Sequence, residues 1–435
     1  MQRINAVKTP EAVSEFLGQR TASKASIATA VQEVHESIQD RGWQAVAELT
    51  ERFDGVKKPS ERDAFRVPKD EFDRAASSLP SDLAEAIQTA IDRVRTFHTR
   101  QMREDWFLEE PGIRTGQIYR PLERVGLYAP GGQAPLFSTL IMTAVPAQIA
   151  GCPEVVVCSP PVGESGTVAP TILATCSLLG IEPAQVWSIG GAQAIFAMAA
   201  GLPGFPRVDG IFGPGNEFVV EAKRQVQGKV RIESLPGNSE ILIIADETSN
   251  PEYVAADLLS QAEHAGGEMA ILVSPSEQLL DRVEQELEKQ LSQMKRKEIA
   301  ENSLSTGGCL ILTKDLSQAC AIANEVAPEH LEIQVEDPSA LIENIRHAGA
   351  IFLGPWSTEP IGDYTAGTNH VLPTGGAARW SSALSVDDYL KKISLIELEK
   401  EGIQAIGPPA IRMAEAEGLF GHADAIRLRL RDLEG

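Results

Sequence analysis

The chain is poor in cysteine, in basic charge and in long apolar runs, and each shortage removes a class of function. Its five cysteines, Cys152, Cys158, Cys176, Cys309 and Cys320, are scattered, and none forms a CxxC pair. That pattern fits buried reduced thiols better than a disulfide frame or a cysteine-zinc site, so any metal must rely on nitrogen and oxygen ligands. Thirty-nine Lys and Arg face 61 Asp and Glu, a formal charge of −22. Such a surface repels phosphate backbones and anionic membranes, and no basic cluster with interleaved aromatics offsets it, so nucleic acid is not expected as a partner. No apolar run approaches the roughly 18 residues of a membrane span, and Met1 to Gln19 lack a hydrophobic signal region. A cytoplasmic protein without membrane contact is expected. Also missing is GxGxxG, the glycine pattern that cradles a pyrophosphate in dinucleotide-binding folds.

What is present is a core-forming chain. With 43% hydrophobic residues over 435 positions, the composition predicts a large core and more than one domain. Met1 to about Ala22 read as a polar arm, and Ser26–Phe53 and Asp70–Arg103 as packing helices, with His35 and His98 simple surface or packing histidines. After Pro121 the texture changes to short β-rich runs alternating with helical stretches. Val155–Cys158, Val186–Ile189 and Val208–Phe212 form one series; Ile241–Ala245, Ala270–Ser274, Cys309–Thr313, Leu331–Val335 and Ala350–Leu353 form a second. This is a parallel α/β pattern. One long charged helix is expected over Glu277–Glu301, with Lys295-Arg296-Lys297 as a solvated face, and a helical tail beyond Ser381.

Several stretches hold groups with chemistry. From Asn250 to Gly267 the sequence reads as a capped amphipathic helix, with Gln261 and His264 three apart on one face and Glu263 pointing elsewhere. Alone, that pair is weak evidence for a metal, because a histidine at a helix end is more often a favourable dipole partner than a ligand. Three glycine-rich strand ends, Pro130-Gly-Gly132, Gly190-Gly-Ala-Gln193 and Gly213-Pro-Gly-Asn216, each open a helix. Singly each is a tight turn or a ligand loop; three in one domain favour a ligand crevice at the strand ends. Pro328-Glu329-His330-Leu331 sets an acid and an imidazole at the mouth of an apolar strand, either a proton acceptor or a satisfied buried histidine. A long polar loop runs from Gly362-Asp363-Tyr364 through His370 to Gly376, and Glu417 and His422 flank Gly418-Leu-Phe-Gly421 in the tail. His347 reads as structural.

Together these strings resemble histidinol dehydrogenases from about Val46 onward. Leu259-Ser-Gln-Ala-Glu-His264, Ala327-Pro-Glu-His-Leu331, Gly362-Asp-Tyr364, Gly367-Thr-Asn-His-Val-Leu-Pro-Thr374 and Gly213-Pro-Gly-Asn216 carry the resemblance. It implies an NAD- and zinc-dependent oxidation of L-histidinol to L-histidine through an aldehyde, by two successive hydride transfers. It also implies a homodimer of two incomplete Rossmann-like parallel-sheet domains with exchanged tails: an arm over 1–23, a zinc and substrate domain over 24–127 plus 241–382, an NAD domain over 128–240 and a dimerisation tail over 383–435. Carried over residue by residue, one Zn2+ per subunit is held by Gln261, His264, Asp363 and His422, the last from the partner's tail. His330 is the base in both oxidations and Glu329 activates the water that hydrates the aldehyde. Ser239, Glu417, Asp363 and His370 contact substrate, and Tyr128, Gln193 and Asn216 hold NAD. The sequence departs from the family pattern at Gln133, at Leu136-Phe137, at Pro236-Gly-Asn-Ser239 and at Ala265-Gly-Gly267. These departures leave a second expectation, a paralogue acting on another small primary alcohol such as a sulfonated propanediol.

Overall fold

The computed structural model describes all residues except 19–24, 132–134, 164–165, 236, 265–266 and 434–435. Two parallel sheets dominate it. The first has five strands in the order Arg231–Ile232, Gly210–Phe212, Arg124–Tyr128, Glu154–Ser159, Val186–Ser188. The second has six, in the order Gln2–Asn5, Gly308–Leu312, Met269–Ser274, Glu240–Ala245, His330–Gln334, Ala350–Leu353. Strands such as Glu240–Ala245 and Met269–Ser274 are buried along their whole length, because helices cover both faces of each sheet. Hence their near-continuous apolar sequences.

The helices do not divide as expected. Those over 25–99 pack on the five-stranded sheet and not on the six-stranded one: Val31, Val46 and Leu49 join Phe196 and Ile211 on one face, and Phe72, Ile91 and Val94 join Leu140 and Phe212 on the other. The first also breaks in two at Gly42, whose φ of +53° suits glycine, and the second at Pro80. The expected N-terminal arm is not free. Gln2–Asn5 pairs in parallel with Gly308–Leu312 as an edge strand, and Val13 and Phe16 of the helix Glu11–Gly18 enter the core beneath it. Its polar side chains face solvent while Ile4 alone goes inward, which is why the stretch reads as polar.

The charged helix expected over 277–301 is two, Glu277–Leu291 and Lys297–Gly307. Arg296 lies between them and donates to the His264 carbonyl at 2.8 Å, so part of the basic run caps a helix end near the site. The tail is not wholly helical. Leu390–Leu398 pairs antiparallel with Ile113–Pro121, which pairs with Trp106–Glu110, and only then do the helices Lys400–Ala416 and Phe420–Arg431 form a hairpin. Ile396, Met413 and Phe420 are 74%, 66% and 63% exposed there, an apolar content that a solvated hairpin does not need. Among the described residues no helix is long and apolar enough to cross a membrane.

Candidate active site

The two sheets present opposite ends to the candidate residues. In the five-stranded sheet these lie at the carboxyl ends, where strand order reverses between Arg124–Tyr128 and its neighbour Gly210–Phe212, the position at which open parallel sheets take ligands. Tyr128 ends one strand, and its buried hydroxyl accepts from the Gly191 N–H at 3.0 Å. Gly213 ends the other with φ +118°, and an added Cβ would stand 2.1 Å from the Tyr128 carbonyl oxygen. Only glycine lets the two strand ends close to this distance. Asn216 spends its side-chain oxygen on the Phe218 and Val219 amides as the cap of Glu217–Val226, which leaves its amide nitrogen for a ligand. Gln193 is buried, its Nε2 3.4 Å from Asp54.

In the six-stranded sheet the residues stand at the amino ends. Ser239 and Glu240 open one strand, Glu329 and His330 its neighbour. His330, 4% exposed, has Nδ1 3.1 Å from both the Glu240 carbonyl and Gln261 Oε1. A carbonyl only accepts, so Nδ1 carries the proton and Nε2 keeps its lone pair. Burial lowers the His330 pKa to about 4, against the opposing pull of Asp363 and the Glu240 carbonyl, so the imidazole is neutral. Glu329 takes the Glu240 N–H on Oε2 at 2.9 Å, and burial pushes its carboxyl well above the usual range. Its Oε2 is 3.8 Å from His330 Nδ1.

Metal-capable groups converge on the same imidazole. Gln261 is fully buried at the end of Pro251–Ala262, a helix that Asn250 caps as expected, and its Nε2 lies 3.2 Å from Nδ1 of the exposed His264. His370 Nδ1 donates to the Asp363 carbonyl at 2.9 Å, and its Nε2 lies 3.5 Å from Thr139 Oγ1 on the other domain. His330, Glu359 and Asp363 offer ligand atoms within 4.8 Å of one another. Gln261 thus touches both His264 and His330, and Asp363 meets this group through His330 and Glu359. Glu417 and His422 are not part of it: both are exposed at the turn of the tail hairpin, and among the described residues no hydrogen bond or ion pair joins them to the rest of the site. The cysteines stay out of it, with burial pushing the Cys152 and Cys309 thiols up to about 12.

Glu359 escaped the sequence reading. It is 1% exposed, and its Oε1 stands 3.6 Å from His330 Nε2 with no hydrogen-bond partner; burial, then Asp363 and Asp257, raise its pKa to about 8. The available signal was its spacing four residues before Asp363 in a short helix, which puts both carboxylates on one face. His98 is not at the surface. It is buried, donates from Nδ1 to the Val94 carbonyl at 3.0 Å and meets Asn369 Nδ2 at 3.2 Å, pinning the loop that carries His370. Of the departures, Gln133, Pro236 and Ala265-Gly266 lie outside the described residues; Leu136 is exposed just before the helix Phe137–Ala150.

The family model for histidinol dehydrogenase matches residues 17–430. The chain belongs to the histidinol dehydrogenase family. It is 45% identical to the histidinol dehydrogenase of Heliobacterium mobile over 95% of this chain and 96% of that one, and 45% identical to that of Aquifex aeolicus over 92% of each. The crystal structure of histidinol dehydrogenase from Elizabethkingia anophelis superposes with a TM-score of 0.93 at 40% identity, covering 100% of this chain and 99% of that one. Family membership makes it an oxidoreductase.

Proposed function

We propose that the protein oxidises L-histidinol to L-histidine through the aldehyde, in two NAD-dependent steps at one zinc site per subunit. The observation that carries this reading is the neutral His330, held by Nδ1 beside Glu329, with Gln261 linking it to His264 and with Asp363 and Glu359 close by. The donor set fits zinc in kind, being nitrogen and oxygen throughout. Gln261, His264 and Asp363 supply three ligands, and His422 of the partner subunit the fourth, delivered with Glu417 of the partner subunit by an exchanged tail. The exposed Ile396, Met413 and Phe420 support that exchange, since they would be covered by a second copy. Tyr128, Gln193 and Asn216 hold the nucleotide at the carboxyl ends of the five-stranded sheet.

When bound, zinc fixes the substrate's amino and imidazole nitrogens and NAD accepts the hydride from the carbinol carbon. His330 Nε2 takes the hydroxyl proton, and the Glu240 carbonyl, which accepts from Nδ1–H, steadies the imidazolium that forms. That positive charge, 3.8 Å from Glu329 Oε2, in turn favours the Glu329 carboxylate. Glu329 is then able to draw a proton from the water that hydrates the aldehyde. His330, once it has passed its proton to solvent water, removes the hydroxyl proton of the hydrate in the second oxidation. Ser239, just before the strand Glu240–Ala245, and His370, whose Nδ1 bonds the Asp363 carbonyl, contact the substrate.

The test is the NADH yield per L-histidinol consumed by the zinc-loaded protein. Two NADH per substrate support the reading; one NADH with release of aldehyde removes the second oxidation, and no turnover with NADH still bound moves the substrate to another primary alcohol.

A further inference from the structure

Beneath the cofactor crevice lies a buried ion pair that the chemistry above does not use. Lys223 Nζ and Glu233 Oε1 are 2.7 Å apart, their side chains 0% and 3% exposed. Two charges taken out of water are stabilised only when further polar atoms complete their surroundings. Here those atoms belong to one residue. Lys223 Nζ donates to the Gly213 carbonyl, and the Gly213 N–H donates to Glu233 Oε1 at 2.8 Å. A closed ring therefore grips both backbone polar groups of Gly213, the residue that starts Gly213-Pro-Gly-Asn216.

The ring's members come from different elements. Lys223 sits on the helix that Asn216 caps, so the turn is tied at both ends to one helix. Glu233 follows the edge strand Arg231–Ile232 and ties the same turn to the sheet. The pair is not built for stability alone: Glu233 Oε2 is buried without a hydrogen-bond partner, and burial raises the carboxyl despite the ammonium beside it. An apolar pair of similar volume would fill the space without that strain. What it would not do is hold Gly213 against Tyr128 at the switch point.

We infer that Lys223 and Glu233 are positioning residues, a clamp that holds the Gly213–Asn216 turn in the form that accepts the nicotinamide cofactor. The inference rests on the cofactor reading of this crevice. The test titrates NADH by its fluorescence into the full-length zinc-loaded protein, wild type and the Lys223→Met/Glu233→Leu double variant. The double variant is expected to bind NADH about tenfold or more weakly, with an unfolding midpoint no lower and L-histidinol affinity without NADH unchanged. NADH affinity within about twofold of wild type in a folded double variant overturns the clamp. So does an equal loss of NADH and L-histidinol binding with a lowered midpoint, which is the mark of a purely structural pair. If the double variant does not fold, Glu233→Gln, which keeps an oxygen acceptor and removes the charge, is measured in its place; about threefold or more weaker NADH binding supports the clamp and unchanged binding overturns it. Wild-type protein that binds no NADH removes the cofactor reading itself, and the clamp with it.

Discussion

The five-stranded and six-stranded sheets are both parallel and both reverse strand order near their middle, yet they present the candidate residues at opposite ends. The first opens at its carboxyl ends, with glycine at Gly213 and Gly191 letting backbone come close. The second is closed there. Ser249 Oγ donates to the Gln334 carbonyl and its neighbour turn is tied by Asp246, whose Oδ2 accepts from the Glu336 N–H at 3.1 Å. This plug bridges Glu240–Ala245 and His330–Gln334 where a ligand would otherwise enter. The candidate groups Glu329 and His330 are at the amino ends instead, held by Gln261 and the Glu240 backbone. A switch point is an opportunity that a few side-chain hydrogen bonds can close, so topology alone does not locate a site.

The largest effect should come from removing what neither sheet supplies. Truncation before Glu417 is expected to abolish turnover, and mixing the truncated chain with a His264 variant in mixed dimers should restore a measurable part of it; no recovery would mean that each tail serves its own subunit. Next, His330→Asn strikes the amino-end site alone, and steady-state kinetics should show kcat lower by about two or more orders of magnitude with NADH affinity kept. Unchanged turnover would remove His330 as the base. Gly213→Ala strikes the carboxyl-end site: the Cβ clash with Tyr128 should weaken NADH binding about tenfold or more and cost about 1–3 kcal/mol in denaturant unfolding, while zinc content is unchanged.

Two smaller changes sharpen the contrast. Ser249→Ala unties the plug and should cost about 1–2 kcal/mol in urea unfolding with kcat nearly unchanged, because the opposite end of the sheet carries the chemistry. If kcat collapses, the two ends are coupled. Asp54, beside Gln193, has its pKa raised by burial from the ordinary carboxylate range to about 6. A carboxyl raised on folding stabilises the fold below its unfolded pKa, and that contribution is lost as pH rises through the folded value. Wild-type stability should therefore fall between pH 4 and 6 by an increment that Asp54→Asn lacks, read from melting midpoints across that range.

The alternation of apolar strand and helix was legible because buried parallel strands must be apolar throughout, and every strand of the two expected series is present within a residue or two. Glu329, His330, Gln261 and His264 were legible because short motifs carried them. Less legible were elements whose sequence is half polar. Trp106–Glu110 and Leu390–Leu398 are strands exposed along most of both faces, so neither alternation nor a long apolar run marks them. Glu359 lacked a motif and only the packing of its short helix brings it to His330.

The sequence by itself determined the α/β class, the oxygen and nitrogen character of any metal site and the residues that could do chemistry, because these follow from composition, periodicity and local spacing. Tertiary structure decided which helices cover which sheet, which end of each sheet is open and where each proton sits on His330. Those depend on contacts between residues far apart in the chain, such as Glu240 with His330 or Asp54 with Gln193, and no local pattern encodes how burial there changes a charge.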